Sequence, residues 1–280
     1  MTAALVLGGG GVAGIAWEAG ILDGLRRAGT DLGAADLIVG TSAGSVVGTV
    51  LRQGADLEST ITTRASLPGP QLNPDMDLVM QAFGIMADGS LDPVEARRRV
   101  GKLALEAPTG DEGPWIEVLS NGLPSGEWPL GRLLITGVNA ETGEFTVWDR
   151  DSGVPLGLAI AASCAIPCMA PPVTVNGARY MDGGVASPTN AELARGASLV
   201  VVLEPLASLR PRGPLRAELA ATGAAETIVI EPDEAVVAAV GTDLMSPDLW
   251  LPVFSAGRDQ ATRISLDIGD LRRQRASTDM

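Results

Sequence analysis

The sequence contains no histidine, and this absence sets the first limit on its chemistry. A Ser-His-Asp or Cys-His catalytic centre needs an imidazole to take up and return a proton. Such a centre is therefore excluded within this chain. A serine nucleophile would need another side chain as its base.

Cysteine is scarce as well, since Cys164 and Cys168 are the only two in 280 residues. With no histidine and no further cysteine, they do not provide the ligand set of a structural metal site. We therefore predict two buried free thiols, no metal centre and no bound cofactor.

Basic residues are outnumbered, with 20 Lys and Arg against 34 Asp and Glu and a formal net charge of −14. This balance argues against nucleic acid and against electrostatic docking on anionic lipid, whereas apolar contact with a membrane surface stays open. No apolar run approaches the roughly 18 residues of a membrane span, and the apolar start is too short for a signal peptide. We expect a cytoplasmic protein, and the sequence does not specify its oligomeric state.

Glycine, in contrast, is abundant, and it frames the most informative stretch, G-T-S-A-G at residues 40–44. Residues 36–39 read as a short buried strand before it, and residues 45–52 read as a helix after it. Strand, G-x-S-x-G and helix form the context of a nucleophile elbow, with Ser42 at the tip of a sharp turn. An ordinary Gly/Ser-rich turn is the alternative interpretation of the pentapeptide alone.

A second glycine-rich stretch follows residues 3–7, which we predict to be a central parallel strand, and precedes a helix predicted over 15–28. Residues 9–14 match the G-x-G-x-x-G fingerprint of dinucleotide binding. That fingerprint requires an acidic residue at the end of the next strand. Here Asp36 precedes the strand and Asp31 lies in a loop, so the expected ribose partner is missing.

The same glycines can instead form an oxyanion hole. Glycines in unusual backbone conformations can direct several N–H groups to one point, and an oxyanion needs such donors about 3 Å away. Both glycine loops follow predicted parallel strands, so they are expected at the same edge of one sheet. The predicted donors are the backbone N–H groups of Gly10, Gly11 and Ala43.

The region from 56 to 127 shows no strand pattern. We predict helices at 56–66, 75–87 and 92–106 and a surface loop at 108–114. The second helix has a methionine-rich face at helical spacing, formed by Met76, Val79, Met80, Phe83 and Met86. This face either packs on the core or forms a wall for an acyl chain.

The remainder of the chain alternates strands and helices. We predict strands at 132–137, 144–148, 198–203 and 225–230, and helices at 155–165, 215–221 and 253–274. A hairpin around Asn176-Gly177 leads into Asp182. By itself, this aspartate is typical of a turn residue.

Three motifs follow one another along the chain: G-G-G-V-A-G at 9–14, G-T-S-A-G at 40–44 and D-G-G at 182–184. In this order they are typical of patatin-like phospholipases, which this sequence resembles over about residues 3–205. The stretch A-S-C-A-I-P at 162–167 also resembles the approach of that family to its aspartate. The motif glycines are Gly9, Gly14, Gly40, Gly44, Gly183 and Gly184.

The resemblance implies an α/β fold, a three-layer α/β/α sandwich with a mainly parallel central sheet. We expect a single domain over 1–280, with a helical insertion at about 56–127 and the C-terminal helix at about 253–274.

The resemblance also implies a Ser-Asp dyad, with Ser42 as nucleophile and Asp182 as base, that hydrolyses lipid esters through an acyl-enzyme. Such enzymes are of the phospholipase A, lysophospholipase or lipid acyl hydrolase type, and the absence of histidine agrees with a dyad. Ala13 stands where the family often has a basic residue, which weakens the expectation of anionic phospholipid substrates. Two alternatives remain: a nucleotide-binding module or oxidoreductase built on 9–14, and a non-catalytic patatin-like interaction protein.

Overall fold

In the computed structural model, which describes residues 2–278 except 68, 70, 71 and 73 and side chains as far as Ile264, eight strands form one mixed sheet. The strands are β1 (Ala3–Leu7), β2 (Leu37–Gly40), β3 (Arg132–Asn139), β4 (Phe145–Trp148), β5 (Val173–Val175), β6 (Ala178–Asp182), β7 (Leu199–Leu203) and β8 (Glu226–Ile230). Their order is β5-β6-β3-β2-β1-β7-β8, and β4 pairs with β3. The five adjacent strands β3, β2, β1, β7 and β8 run parallel to one another. The pairs β3–β4, β3–β6 and β5–β6 are antiparallel.

Helices connect these strands. They are α1 (Gly11–Arg27), α2 (Ala43–Arg52), α3 (Leu57–Ser66), α4 (Met76–Ala87), α5 (Pro93–Glu106), α6 (Glu112–Asn121), α7 (Leu156–Ser163), α8 (Arg212–Thr222), α9 (Glu234–Val240) and α10 (Trp250–Thr278). In the part of the chain that the structure describes, no helix combines the length and apolar composition that a membrane crossing requires.

Successive side chains of β1 belong alternately to two layers of the core, one on each face of the sheet. Leu5 and Leu7 belong to the larger apolar cluster, which includes side chains of α1, α2 and α10. Ala4 and Val6 belong to a separate cluster with α8 and the short 3₁₀ turn Ala191–Ala194. Successive side chains of a strand point to opposite faces, so helical elements cover both faces of the sheet. The predicted α/β fold with a mainly parallel sheet flanked by helices is confirmed.

Two differences concern helix starts. Helix α1 begins at Gly11, four residues before its predicted start. Glycine has a poor helix propensity, so the sequence pattern predicts the start of α1 too late. In the folded protein, tertiary contacts determine where the helix begins. The predicted loop at 108–114 was partly wrong, because α6 begins at Glu112. Pro114 falls in its first turn, where a missing N–H costs no helical hydrogen bond.

Candidate active site

Ser42 lies at the turn between β2 and α2. Its backbone has φ 52° and ψ −117°, a conformation that residues with a side chain rarely adopt. The Ser42 N–H donates to Ser163 Oγ at 3.0 Å, and the Ser42 carbonyl accepts from Ser45 Oγ at 2.7 Å. These bonds hold a strained strand–turn–helix geometry at the carboxyl edge of the sheet, which is the geometry that the predicted nucleophile elbow requires.

The register of β3 brings Asp182 to the same place. Ile135 pairs with Gly40 at the end of β2 and, on its other side, with β4. Two residues later, Gly137 pairs with Asp182 at the end of β6 and again with β4. Because β4 occupies one edge of β3 in both cases, β2 and β6 share the other edge. Asp182 therefore follows directly beyond the end of β2, where Ser42 lies.

Asp182 is buried in this position, with only 5% of its surface exposed. Its carboxylate accepts a hydrogen bond from the Gly184 N–H at 2.7 Å and lies beside the Ser42 side chain. Burial raises the pKa of Asp182 from 3.8 to about 7, although interactions with the Ser42 side chain and the Gly184 N–H oppose this shift. The group can therefore exchange a proton near neutral pH, as a general base must.

Cys164 adjoins the same pair. Its thiol lies 3.8 Å from Ser45 Oγ. Burial, and secondarily the charge of Asp182, raises the pKa of Cys164 to about 12, so the thiol is protonated and not nucleophilic at neutral pH. The prediction of two buried free thiols is confirmed for Cys164 and Cys168. Within the described residues, no three His, Cys, Asp or Glu side chains come together as a metal site would require.

The glycine loop between β1 and α1 faces the elbow. The Gly9 N–H donates to a backbone carbonyl at 2.8 Å. Gly10 and Gly11 cap and begin α1, and Ala43 begins α2, so their N–H groups belong to helix ends that leave donors without an intrahelical partner. Gly10 and Gly11 line the same cavity as Ser42. The predicted donors Gly10 and Gly11 thus lie on the cavity that contains Ser42, and Ala43 follows Ser42 at the start of α2.

Close contact between α2 and β1 depends on Gly44. A Cβ atom at this position would lie 2.1 Å from the carbonyl oxygen of Leu7, so no other residue fits without movement of the backbone. The Gly44 N–H also donates to Gly8 O at 3.1 Å, which joins the elbow to the glycine loop. Other motif glycines are also crowded or lie on the cavity wall, namely Gly9, Gly14, Gly40, Gly183 and Gly184.

A buried polar network supports the elbow, and the sequence did not predict it. Thr41 Oγ1 accepts hydrogen bonds from Thr136 Oγ1 at 3.0 Å and from Asn190 Nδ2 at 2.9 Å. Asn190 Nδ2 also donates to Ser187 O at 2.8 Å. The network joins the residue before Ser42 to β3 and to the loop after Asp182. No local pattern marks these residues, because only the sheet brings them together.

An apolar cavity of about 300 Å³ opens over Ser42 and Asp182. One wall is the methionine-rich face of α4, formed by Met76, Val79, Met80, Phe83 and Met86. Val79 and Ala82 are buried in a core cluster, whereas Met76 and Met80 are 54% and 64% exposed. Helix α4 therefore both packs on the core and lines the cavity. Methionine side chains adapt readily to flexible apolar ligands.

The remaining predicted positions lie away from the cavity wall. Ala13 is buried in the first turn of α1, and its N–H donates to Leu244 O at 3.0 Å. Asp36 accepts from the Ala3 N–H at 2.8 Å, at the edge of the sheet opposite the glycine loop. Asp31 caps a short 3₁₀ turn. Neither carboxylate lies where the dinucleotide fingerprint places its ribose partner.

Comparison with known proteins adds a family match. A family model described as "Patatin-like phospholipase" matches residues 5–195. A comparison with curated proteins finds no match.

Two solved structures are similar in fold. The type III effector protein ExoU is 17% identical, with a TM-score of 0.43 over 95% of this chain and 53% of its own. VipD from Legionella pneumophila is 15% identical, with a TM-score of 0.45 over 95% of this chain and 67% of its own. The chain thus spans about half the length of the ExoU structure.

Proposed function

Because the chain belongs to the patatin-like phospholipase family, we propose that it is a serine esterase that hydrolyses carboxylic ester bonds of lipids. Family membership supports lipid hydrolysis in general. The specific mechanism rests on one observation: in a chain without histidine, Ser42 lies beside a buried aspartate whose pKa is about 7, inside an apolar cavity.

In the proposed reaction, Asp182 takes the proton of the Ser42 hydroxyl as Oγ attacks the ester carbonyl carbon. The carbonyl oxygen becomes an oxyanion, which the N–H groups of Gly10, Gly11 and Ala43 stabilise. The tetrahedral intermediate then collapses, the leaving alcohol takes the proton from Asp182, and the acyl group stays on Ser42. Water attacks this acyl-enzyme with Asp182 again as base. The bond between the acyl carbon and Ser42 Oγ then breaks, Oγ takes the proton from Asp182, and the fatty acid is released.

The apolar cavity supports a lipid substrate. Its methionine-rich wall offers a surface for an acyl chain, and its low polarity strengthens the interactions of the reacting charges. Met76, Met80 and Phe83 are partly exposed on this wall, which supports transient apolar contact with a lipid surface. The proposed class of activity is that of a phospholipase A, a lysophospholipase or a lipid acyl hydrolase.

A fluorophosphonate probe tests the nucleophile directly. We expect a single covalent adduct on Ser42, located by mass spectrometry of the labelled peptides, because the elbow exposes this hydroxyl to the cavity and Asp182 activates it. Ser42→Ala should abolish labelling, whereas Ser45→Ala should still be labelled on Ser42, at a reduced rate because the variant loses its hydrogen bond to Ser42 O. An adduct on Ser45 or Ser163 would contradict the assignment.

A further inference from the structure

Arg210 introduces a positive charge into the cavity wall. Among the described residues that line the cavity, the charged side chains are Asp182, Arg210 and Asp243. Arg210 follows the 3₁₀ turn Ala207–Leu209 after β7, and the carboxyl end of β7 pairs with that of β1. The guanidinium therefore lies at the same edge of the sheet as the glycine loop and the elbow.

The environment of Arg210 differs from that of the paired arginines. Arg26, Arg212 and Arg258 form ion pairs with carboxylates. Within the described part of the chain, the Arg210 side chain instead makes a cation–π contact with Phe83, whose ring centroid lies 5.9 Å from the guanidinium carbon. Burial lowers the pKa of Arg210 without an opposing carboxylate. A half-buried guanidinium without a carboxylate keeps its N–H donors available for a ligand.

We propose that Arg210 is a specificity-determining residue that binds a phosphate group of the lipid ester while the ester reaches Ser42. The proposal rests on the function given above. An arginine matches phosphate oxygens through two parallel hydrogen bonds, and the contact with the ring of Phe83 occupies none of its carboxylate- or phosphate-binding N–H donors with an acceptor oxygen. Asp182 and Asp243 would repel an anion, so the phosphate binds at Arg210 beside Phe83, while the acyl chain follows the methionine side chains of α4.

Turnover of two matched esters tests this role. The substrates are 1-octanoylglycerol and its 3-phosphate, which share the acyl chain and the scissile bond. Arg210→Gln should lower kcat/KM for the phosphate ester ~10- to 100-fold, mainly through KM, because charge-assisted hydrogen bonds of substrate binding are lost. Arg210→Gln should change kcat/KM for the neutral ester by less than about twofold. For the phosphate ester, kcat/KM of Arg210→Lys should lie between the values of the parent and of Arg210→Gln.

Arg216→Gln is the matched control. Arg216 is exposed on α8 and away from the cavity wall, so this variant removes the same charge and should change neither rate. An equal loss on both esters in Arg210→Gln would show that Arg210 merely holds α4 through Phe83. No loss on either ester would show that no phosphate is bound. Either result overturns the proposal.

Calorimetric binding of octyl phosphate separates this proposal from the proposed hydrolysis, because octyl phosphate contains no carboxylic ester. In a Ser42→Ala background, Arg210→Gln should weaken its binding at least ~10-fold. Inorganic phosphate should bind far more weakly than octyl phosphate, and equal affinities would assign a free-anion site and overturn the proposal. If the parent hydrolyses neither ester, the proposed function fails, but this binding comparison still decides the role of Arg210.

Discussion

Asp182 is buried beside Ser42, and its pKa of about 7 predicts how the proposed activity depends on pH. The protonated carboxyl cannot accept the serine proton. We therefore expect kcat/KM for a soluble ester to rise with pH through one ionisation near pH 7 and to fall about tenfold per unit well below it. A profile that is flat between about pH 5 and 8 would contradict a base that titrates near pH 7.

The same pKa predicts an effect on stability. Asp182 binds its proton more tightly in the folded protein than in the unfolded chain, so its contribution to stability is lost as pH rises from about 4 to about 7. Asp182→Asn does not lose stability in this way, because an amide side chain does not ionise, although we expect the variant to be inactive. Its stability relative to the parent, measured by urea denaturation, should increase by ~1–3 kcal/mol between about pH 4 and pH 8. A pH-independent difference would contradict this pKa.

At the scale of elements, α2 depends on its close approach to β1. Gly44→Ala would place Cβ 2.1 Å from the Leu7 carbonyl oxygen and should destabilise the protein by ~2–4 kcal/mol. Gly213→Ala in α8 is the matched control, because nothing lies within 4 Å of the added Cβ. It should stabilise the protein by ~0.5–1 kcal/mol. Urea denaturation measures both, and similar effects of the two variants would disprove the close approach.

Helix α4 has two roles that substitutions can separate. Val79→Ala removes a side chain that is 2% exposed in the core and should cost ~1–3 kcal/mol of stability. Met80→Ala, at a position 64% exposed on the cavity wall, should change stability by less than ~0.5 kcal/mol. Met80→Ala should instead lower kcat/KM for an octanoyl ester, relative to an acetyl ester, about three- to tenfold. An unchanged ratio would mean that α4 does not contact the acyl chain.

At the scale of the whole molecule, local patterns predicted most elements of the fold. The apolar runs before the glycine loops form β1 and β2, and Asn176-Gly177 forms its hairpin with φ angles of 50° and 84°. The early start of α1 and the helix at α6 were missed, because packing rather than intrinsic propensity sets those boundaries.

The site was less accessible to sequence reasoning. Ser42 has a local strand–turn–helix signal, but its contact with Asp182, 140 residues later, depends on the register of β3. The resemblance to a family supplied that pairing, whereas spacing could not. Arg210 and Asn190 belong to no motif, and only the meeting of loops at one edge of the sheet reveals their positions.

The most direct test of the dyad compares turnover of a soluble octanoyl ester by Ser42→Ala, Asp182→Asn and the double variant. Asp182→Asn preserves the shape of the side chain but removes the base, and residues that act as one unit give non-additive losses. Each single variant should lose ~10³-fold or more in kcat, and the double variant should be little worse than either. Asp243→Asn, which removes the other carboxylate of the cavity, should retain activity within about threefold. Near-parent activity of Asp182→Asn, or losses that multiply in the double variant, would contradict the dyad.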